Sequence, residues 1–264
     1  MNTPDDALTR LIICAVAREL RDGQIVAFGL HAEIMLAAAF LAQRLHAPNL
    51  AIRHGLRAER GAQLGPAAWS SDRDDSSHAM IEYLEMHDAI LGVANPRSPS
   101  RFCDVFFVGG MQIDQQGSTN LIGIRGKNGR MRLRGPGSVG TTSIGSLAKH
   151  LVLFSWEHTP RRFVPQVDYV SVPGWQRRRE RGLPGGPRLC VSSLGVMSFV
   201  AGKMHLRSAH PGVTPEQVQQ NTGFPLPLAD EFTATAPPTE QEVAVLDTLL
   251  DGAELGAGVS DGDP

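Results

Sequence analysis

Short apolar runs alternate with longer amphipathic ones through the first half of this chain, and that rhythm restricts the folds open to it. Gln24 to Phe28, Asn49 to Ile52 and Asp104 to Val108 are too short for helices and predominantly apolar, so each predicts a buried strand. Around them the apolar positions recur at helical spacing. Thr3-Pro4-Asp5-Asp6 supplies an N-cap, a first-turn proline and an acid, and Leu8, Leu11, Ile12, Ala15 and Val16 then share one face. Asp22-Gly23 closes that helix. A second is expected from Ala32 to Leu45, with Pro48 marking the break after it, and a loop from Arg53 after the next strand. Strands that are apolar on both sides, separated by helices, predict an α/β fold: a single domain with a largely parallel sheet flanked by helices.

The rest of the chain extends this pattern with more strands. Ser70 to Ser77 reads as a loop, Met80 to His87 as a helix and Ala89 to Val93 as a short apolar run. Lys149 to Trp156 and Val167 to Val172 are expected strands, and Pro173 to Pro187 a long loop rich in Gly, Pro and Arg. Leu189 to Ser192 and Val196 to Val200 read as paired strands. Thr214-Pro215-Glu216-Gln217 opens a helix with the N-cap chemistry of the first, and Glu240 to Leu250 is a last amphipathic one. The expected domain is 1–251, followed by a Gly- and Asp-rich tail, 252–264, that is expected to be disordered.

Several functional classes are disfavoured. A net charge of −2 gives no global field toward nucleic acid or membrane. No apolar stretch approaches the ~18 residues of a membrane span, and the acidic start is not that of an export signal, so the expectation is a soluble, cytoplasmic protein. Cys14, Cys103 and Cys190 are widely spaced and lack a Cys-x-x-Cys pair, which predicts thiols rather than a disulfide framework or a zinc site. The basic run Arg177-Arg178-Arg179-Glu180-Arg181 is either a solvated loop or a local anion or partner contact.

Two segments are rich enough in glycine to approach a ligand. Gly135-Pro136-Gly137-Ser138-Val139-Gly140 matches G-x-G-x-x-G, with Glu157 near the place where a ribose-binding acid would fall. Arg132 and Arg134 fit poorly in a buried strand before it, which counts against a dinucleotide site. Val108-Gly109-Gly110-Met111-Gln112-Ile113-Asp114 runs a strand straight into paired glycines. These are either a tight turn or a backbone able to meet a developing oxyanion.

That second segment is similar to one in the β subunits of family I coenzyme A transferases, of the glutaconate type. The likeness continues in order through Asp22-Gly23-Gln24-Ile25-Val26, Arg161-Arg162-Phe163-Val164, Pro173-Gly174-Trp175, Gly182-Leu183-Pro184-Gly185, His210-Pro211-Gly212-Val213 and Asn221-Thr222-Gly223-Phe224. The resemblance implies a heteromer with an α subunit, an acyl-CoA thioester as substrate, no other cofactor, and covalent catalysis by a glutamate after the second helix and strand. Here Arg53 occupies that position, in Ala51-Ile52-Arg53-His54-Gly55, and arginine cannot act as a carboxylate. Glu59 is the nearest acid and the candidate nucleophile; a solvated loop acid is the other reading. Gly109 and Gly110 are the candidate oxyanion donors. Arg53 and His54 are candidate substrate-binding residues, Arg53 for a carboxylate or phosphate and His54 as a proton shuttle, as against loop residues free to vary. Met111, Gln112, Gly135 and Gly137 complete the substrate-binding set. The missing glutamate is also similar to the β subunits of actinobacterial steroid ring-cleaving CoA-thioester hydrolases, whose resemblance implies an essential acid on the other subunit.

Overall fold

The computed structural model describes residues 6–28, 32–54, 57–60, 80–83, 103–138 and 140–251. Helix α1, Asp6–Ala17, leads into β1, Ile25–Phe28; α2, Glu33–Leu45, leads into β2, Ala51–His54. Strands β3, Arg57–Arg60, and β4, Met80–Tyr83, follow, then β5, Val105–Val108. The middle of the chain adds the short strands β6, Gln112–Asp114, β7, Thr119–Asn120, β8, Gly123–Arg125, and β9, Met131–Arg134, then α3, Thr141–Leu147. Next come β10, His150–Ser155, β11, Phe163–Val164, and α4, Trp175–Glu180. The chain finishes with β12, Gly186–Ser192, β13, Gly195–Val200, β14, Lys203–Ala209, α5, Pro215–Gln220, β15, Leu228–Ala234, and α6, Glu240–Asp251.

Ten strands form one sheet in the order β15-β14-β13-β12-β10-β5-β1-β2-β3-β4. Its centre is parallel: β1 pairs in parallel with β2 and β5, and β10 with β5 and β12. Both faces are covered, as a parallel sheet requires. Along β5, Val105 and Phe107 join the core under α1, α2 and α6, while Phe106 and Val108 join a second core on the other face. That second face is covered by α3, α5 and the small sheet β11-β6-β7. Ion pairs Arg10–Asp247 and Arg18–Glu242 tie α6 to α1.

The sequence expectations for α1, α2, β1, β5, β10, β12, β13, α5 and α6 hold to within a few residues. The N-cap expected at Thr3, the loop at 70–77, the run at 89–93 and the tail at 252–264 lie outside the described residues. Four expectations need correction. Met80–Tyr83 is a strand, not a helix, pairing with β3 at the sheet edge. Arg53 and His54 do not start a loop; they finish β2, paired with Ala27 and Phe28. Val167 to Val172 forms no strand beyond a single bridge from Val172 to Thr119, because its polar groups are committed to turns around β6 and β7. The 173–187 loop contains α4, and its basic run is not simply solvated, since Arg178 is 1% exposed.

Candidate active site

The chain leaves β1 for β2 on one side of it and returns as β5 on the other, so the strand order reverses between β1 and β5. Loops diverge at such a point and leave a crevice beyond the carboxyl ends of the strands, where open α/β sheets bind ligands. Gly109 and Gly110 sit at that edge, directly after β5. The two glycines are not equivalent. A Cβ on Gly110 would lie 2.9 Å from the Gln112 carbonyl oxygen and 3.2 Å from Thr119 Cβ, so packing alone demands glycine there. Gly109 is exposed, and a Cβ there would meet only the Phe154 carbonyl, at 3.3 Å, so its backbone is open to a ligand.

The loop is held from below. Met111 N–H donates to the Asn120 carbonyl at 2.7 Å, and Arg162 donates to the Gly110 carbonyl at 3.2 Å. Arg162 is itself fixed by Glu157 at 2.8 Å. Glu157 follows β10 at the same edge, and its pairing with Arg162 holds its pKa below the usual carboxylate range. From sequence alone it reads only as a ribose ligand. Its place beside the glycine loop follows from β10 lying next to β5, which no local pattern announces.

The second glycine-rich segment comes to the same place. Gly135 N–H donates to the Ile122 carbonyl and Gly137 N–H to the Leu121 carbonyl. A Cβ at Gly135 would fall 2.5 Å from Met111 Sδ and 2.3 Å from the Leu121 oxygen. Gly135 is thus pressed against the segment following β5. A strand and a helix do flank this motif, but β9 is exposed along its length and pairs only with β8, outside the parallel sheet. A dinucleotide fingerprint needs that strand inside the parallel sheet, so the geometry does not support one.

Of the sequence candidates, Gly109, Gly110, Met111, Gly135 and Gly137 are brought together. Gln112 is beside them but turned inward: its amide oxygen accepts from Asn120 and from the Asp168 N–H, and its nitrogen donates to Asp168. It braces the loop. The strand register puts His54 at the carboxyl end of β2, Arg53 one pair back, and Glu59 on β3 level with Ile52. Glu59 is therefore a strand residue, further from the edge than Arg53.

A buried polar chain runs along the same edge from the ends of β10, β12, β14 and β15. His158 Nε2 donates to Thr222 Oγ1 at 2.9 Å, and its Nδ1 accepts from Ser192 Oγ at 2.6 Å. His210 donates through Nε2 to the Ser192 carbonyl at 2.9 Å and accepts from Thr235 at Nδ1. Thr222 in turn donates to the Val218 carbonyl, which fixes the direction of the chain. Burial pushes the His158 pKa down to about 4 and lowers that of His210, so both are neutral bases. His158 also stacks on Phe163 at 3.9 Å, which anchors the loop carrying Glu157 and Arg162.

Among the described residues no group of three or more His, Cys, Asp or Glu side chains is placed to hold a metal ion. The cysteines are free and buried.

Comparison with known proteins places this arrangement. Residues 99–221 match the profile described as coenzyme A transferase. The β subunit of glutaconate CoA-transferase from Acidaminococcus fermentans is 29% identical over 244 residues, covering 84% of each chain. A cholesterol ring-cleaving hydrolase subunit of Rhodococcus jostii is 31% identical over 159 residues, 56% of this chain and 60% of that one. Among solved structures, the Acidaminococcus fermentans glutaconate CoA-transferase superposes with a TM-score of 0.76 at 24% identity, over 94% of this chain and 96% of that one. The decarboxylase AibA/AibB superposes with a TM-score of 0.74 at 21% identity, over 93% and 95%. Transferase, hydrolase and decarboxylase thus share this fold, and the fold alone does not select among them.

Proposed function

We infer that this chain is a member of the coenzyme A transferase family and the β-subunit half of a heteromeric enzyme acting on an acyl-CoA thioester. The observation that carries this is the convergence of Gly109, Gly110 and Met111 with Gly135 and Gly137 at the switch point of the sheet. The exposed backbone at Gly109 suits a thioester carbonyl, whose oxygen gains charge as it is attacked. Gly135 and Gly137 would form the adjoining wall. An α subunit would supply the other half of the site. The setting is the cytoplasm, the role catabolic, with a carboxylic acid or a ring compound such as a steroid as the acyl source. The CoA thioester is a substrate, and the chemistry calls for no other cofactor.

Two reactions fit. In transfer, a carboxylate attacks the thioester carbonyl, expelling CoA thiolate and leaving an acyl anhydride. The thiolate then attacks the enzyme's own carbonyl, giving a glutamyl-CoA thioester and the free acid. In this chain Glu59 is the candidate for that role. The second reading is ring-opening hydrolysis of a cyclic CoA thioester, with the essential acid on the α subunit. Arg53 near the end of β2, where the transferase pattern places glutamate, supports it. A non-catalytic scaffold subunit is the remaining alternative.

Borohydride trapping separates them. The heteromer is incubated with a panel of acyl-CoAs, reduced, digested and analysed by mass spectrometry. A reduced glutamyl adduct on the Glu59 peptide establishes covalent transfer. Consumption of the CoA ester with no adduct on this chain sinks the transfer reading and leaves hydrolysis. Full activity of the α subunit alone would leave this chain as scaffold.

A further inference from the structure

The Gly110–Met111 peptide is pinned at both ends, by groups of different kinds. Its N–H, on Met111, donates to the Asn120 carbonyl at 2.7 Å, a bond between backbones. Its carbonyl, on Gly110, accepts from Arg162 Nη1 at 3.2 Å, a side chain arriving from the residue before β11. The arginine is set in place without help from that carbonyl. Its own N–H donates to the Thr159 carbonyl at 2.9 Å, and its own carbonyl accepts from Ile113 N–H at 2.7 Å. Its Nε donates to Glu157 Oε2 at 2.8 Å, and Glu157 Oε1 accepts from Thr159 Oγ1 at 3.1 Å. Both carboxylate oxygens are therefore committed, and the guanidinium bridges that carboxylate to the glycine loop.

Stability gives little reason for this bridge. The Arg162 side chain is 35% exposed and that of Glu157 48%, and an ion pair so open to water adds little to folding. Gly110 is itself only half-buried, so water can satisfy its carbonyl in place of the arginine. What water does not supply is direction. Adjacent glycines have the widest choice of backbone angles, so Gly109 and Gly110 do not aim their own peptides. Strand β5 fixes one side of the pair, and the pinned 110–111 peptide fixes the other. Donors held in this way need not reorient when charge develops on a bound carbonyl.

We propose that Arg162, held by Glu157, is a positioning residue that aims the Gly109–Gly110 backbone at the thioester carbonyl without itself touching the substrate. The substrate rests on the acyl-CoA reading; the clamp on the loop rests on its hydrogen bonds alone. Arginine suits the task. It stays protonated at any working pH, and its planar fork serves a carbonyl through one nitrogen and a carboxylate through another. A contact that orients donors toward a developing oxyanion counts in the transition state more than in the bound state, so its loss lowers kcat and leaves KM. Glu157 acts only through Arg162, so removing both costs no more than removing Arg162.

Steady-state kinetics of the heteromer on a panel of acyl-CoAs tests this, alongside amide hydrogen exchange of this chain. Arg162→Gln should lower kcat roughly ten- to a hundred-fold, with KM within about two-fold of wild type. Arg162→Lys should recover part of kcat, since an ammonium can reach the carbonyl but lacks the fork that also holds the carboxylate. Glu157→Gln should lower kcat less, and should add nothing in the R162Q background. The peptide spanning Gly109 to Gln112 should exchange faster in R162Q while peptides from β1 and β5 do not, which separates a loosened loop from a damaged fold. Should R162Q fail to fold, R162K and Glu157→Gln carry the same test. An active heteromer whose R162Q variant keeps its kcat, or changes only in KM, overturns the proposal and leaves the acyl-CoA reading standing. A Glu157→Gln loss that adds in full to that of R162Q overturns it as well, by showing that Glu157 acts on its own. A wild-type heteromer that consumes no acyl-CoA removes the acyl-CoA reading, and the proposal with it.

Discussion

Replacing Arg178 by methionine should cost this protein about 4 kcal/mol of stability, the net of opposing effects. Its guanidinium donates to the carbonyls of Gly145 at 2.7 Å, Ser146 at 3.0 Å, Ala148 at 3.1 Å and Gly185 at 3.1 Å, and to that of Pro184 through two nitrogens. Three of these acceptors close the carboxyl end of α3, and the others belong to the turn before β12. Methionine leaves them without a donor, at roughly 1–3 kcal/mol for each that stays buried. Against this, the cation no longer has to be kept dry. Burial lowers its pKa from 12.5 to about 10, which corresponds to a relief of about 3 kcal/mol. The acceptors are backbone, so no side-chain replacement removes them, unlike an ion pair exchanged whole for apolar groups. At 2–4 °C per kcal/mol for a chain of this size, melting should fall by roughly 8 to 16 °C. Arg178→Lys keeps the charge but offers fewer donors in no fixed fork, and should lie between. Denaturant titration of both variants gives the energies. A loss below about 1 kcal/mol for the methionine variant would refute the reasoning, showing that water or relaxation satisfies the carbonyls.

Local geometry sets the other expectations. His158 is neutral in the fold with a pKa of about 4 against 6.5 unfolded, so its neutral form favours folding fully above pH 6.5 and this contribution is lost as the unfolded chain binds the proton below it. Stability should fall by about 3 kcal/mol from this residue between pH 6.5 and pH 4, and His158→Gln should flatten that part of the pH profile, with His210 and His150 contributing in the same direction. Gly135→Ala puts a Cβ 2.3 Å from the Leu121 oxygen, so stability and acyl-CoA turnover should both drop; Met111→Ala should not rescue it, since the Leu121 backbone remains. Thr119 Oγ1 is buried with no hydrogen-bond partner, so Thr119→Val should leave stability unchanged or raise it by about 1 kcal/mol in a thermal melt. Ala201 has φ +51 in the turn between β13 and β14, and Ala201→Gly should stabilise by roughly 0.5–1 kcal/mol; a lower melting temperature would count against the turn geometry.

What could be read from the sequence, and what could not, divides along the range of the interactions involved. The buried strands β1, β5 and β10 carry their own signal, because an apolar run bounded by turns has few other uses. The α5 start is equally local: Thr214 accepts from Gln217 N–H while the Gln217 side chain accepts from Thr214 N–H, as the letters imply. Strand β14 alternates polar and apolar residues, but its turn uses Ala201 at a positive φ, where the hairpin pattern calls for Asn, Asp or Gly. The signal is present, and its punctuation is only half there, in Gly202 at φ +82. Arg178 shows the harder case. In the sequence it is one arginine among four in a basic run, and only the fold puts it beside α3, where it is buried while Arg177 is half-buried and Arg181 exposed. The same holds for the candidate active site. Paired glycines after a strand are common, and Gly135 through Gly140 have the letters of a dinucleotide loop. What joins them is that Gly135 admits no side chain against Met111, so the two segments pack together near the sheet's switch point. Close approach of two backbones leaves a glycine in each but no pattern linking them, which is why neither motif alone points to the other.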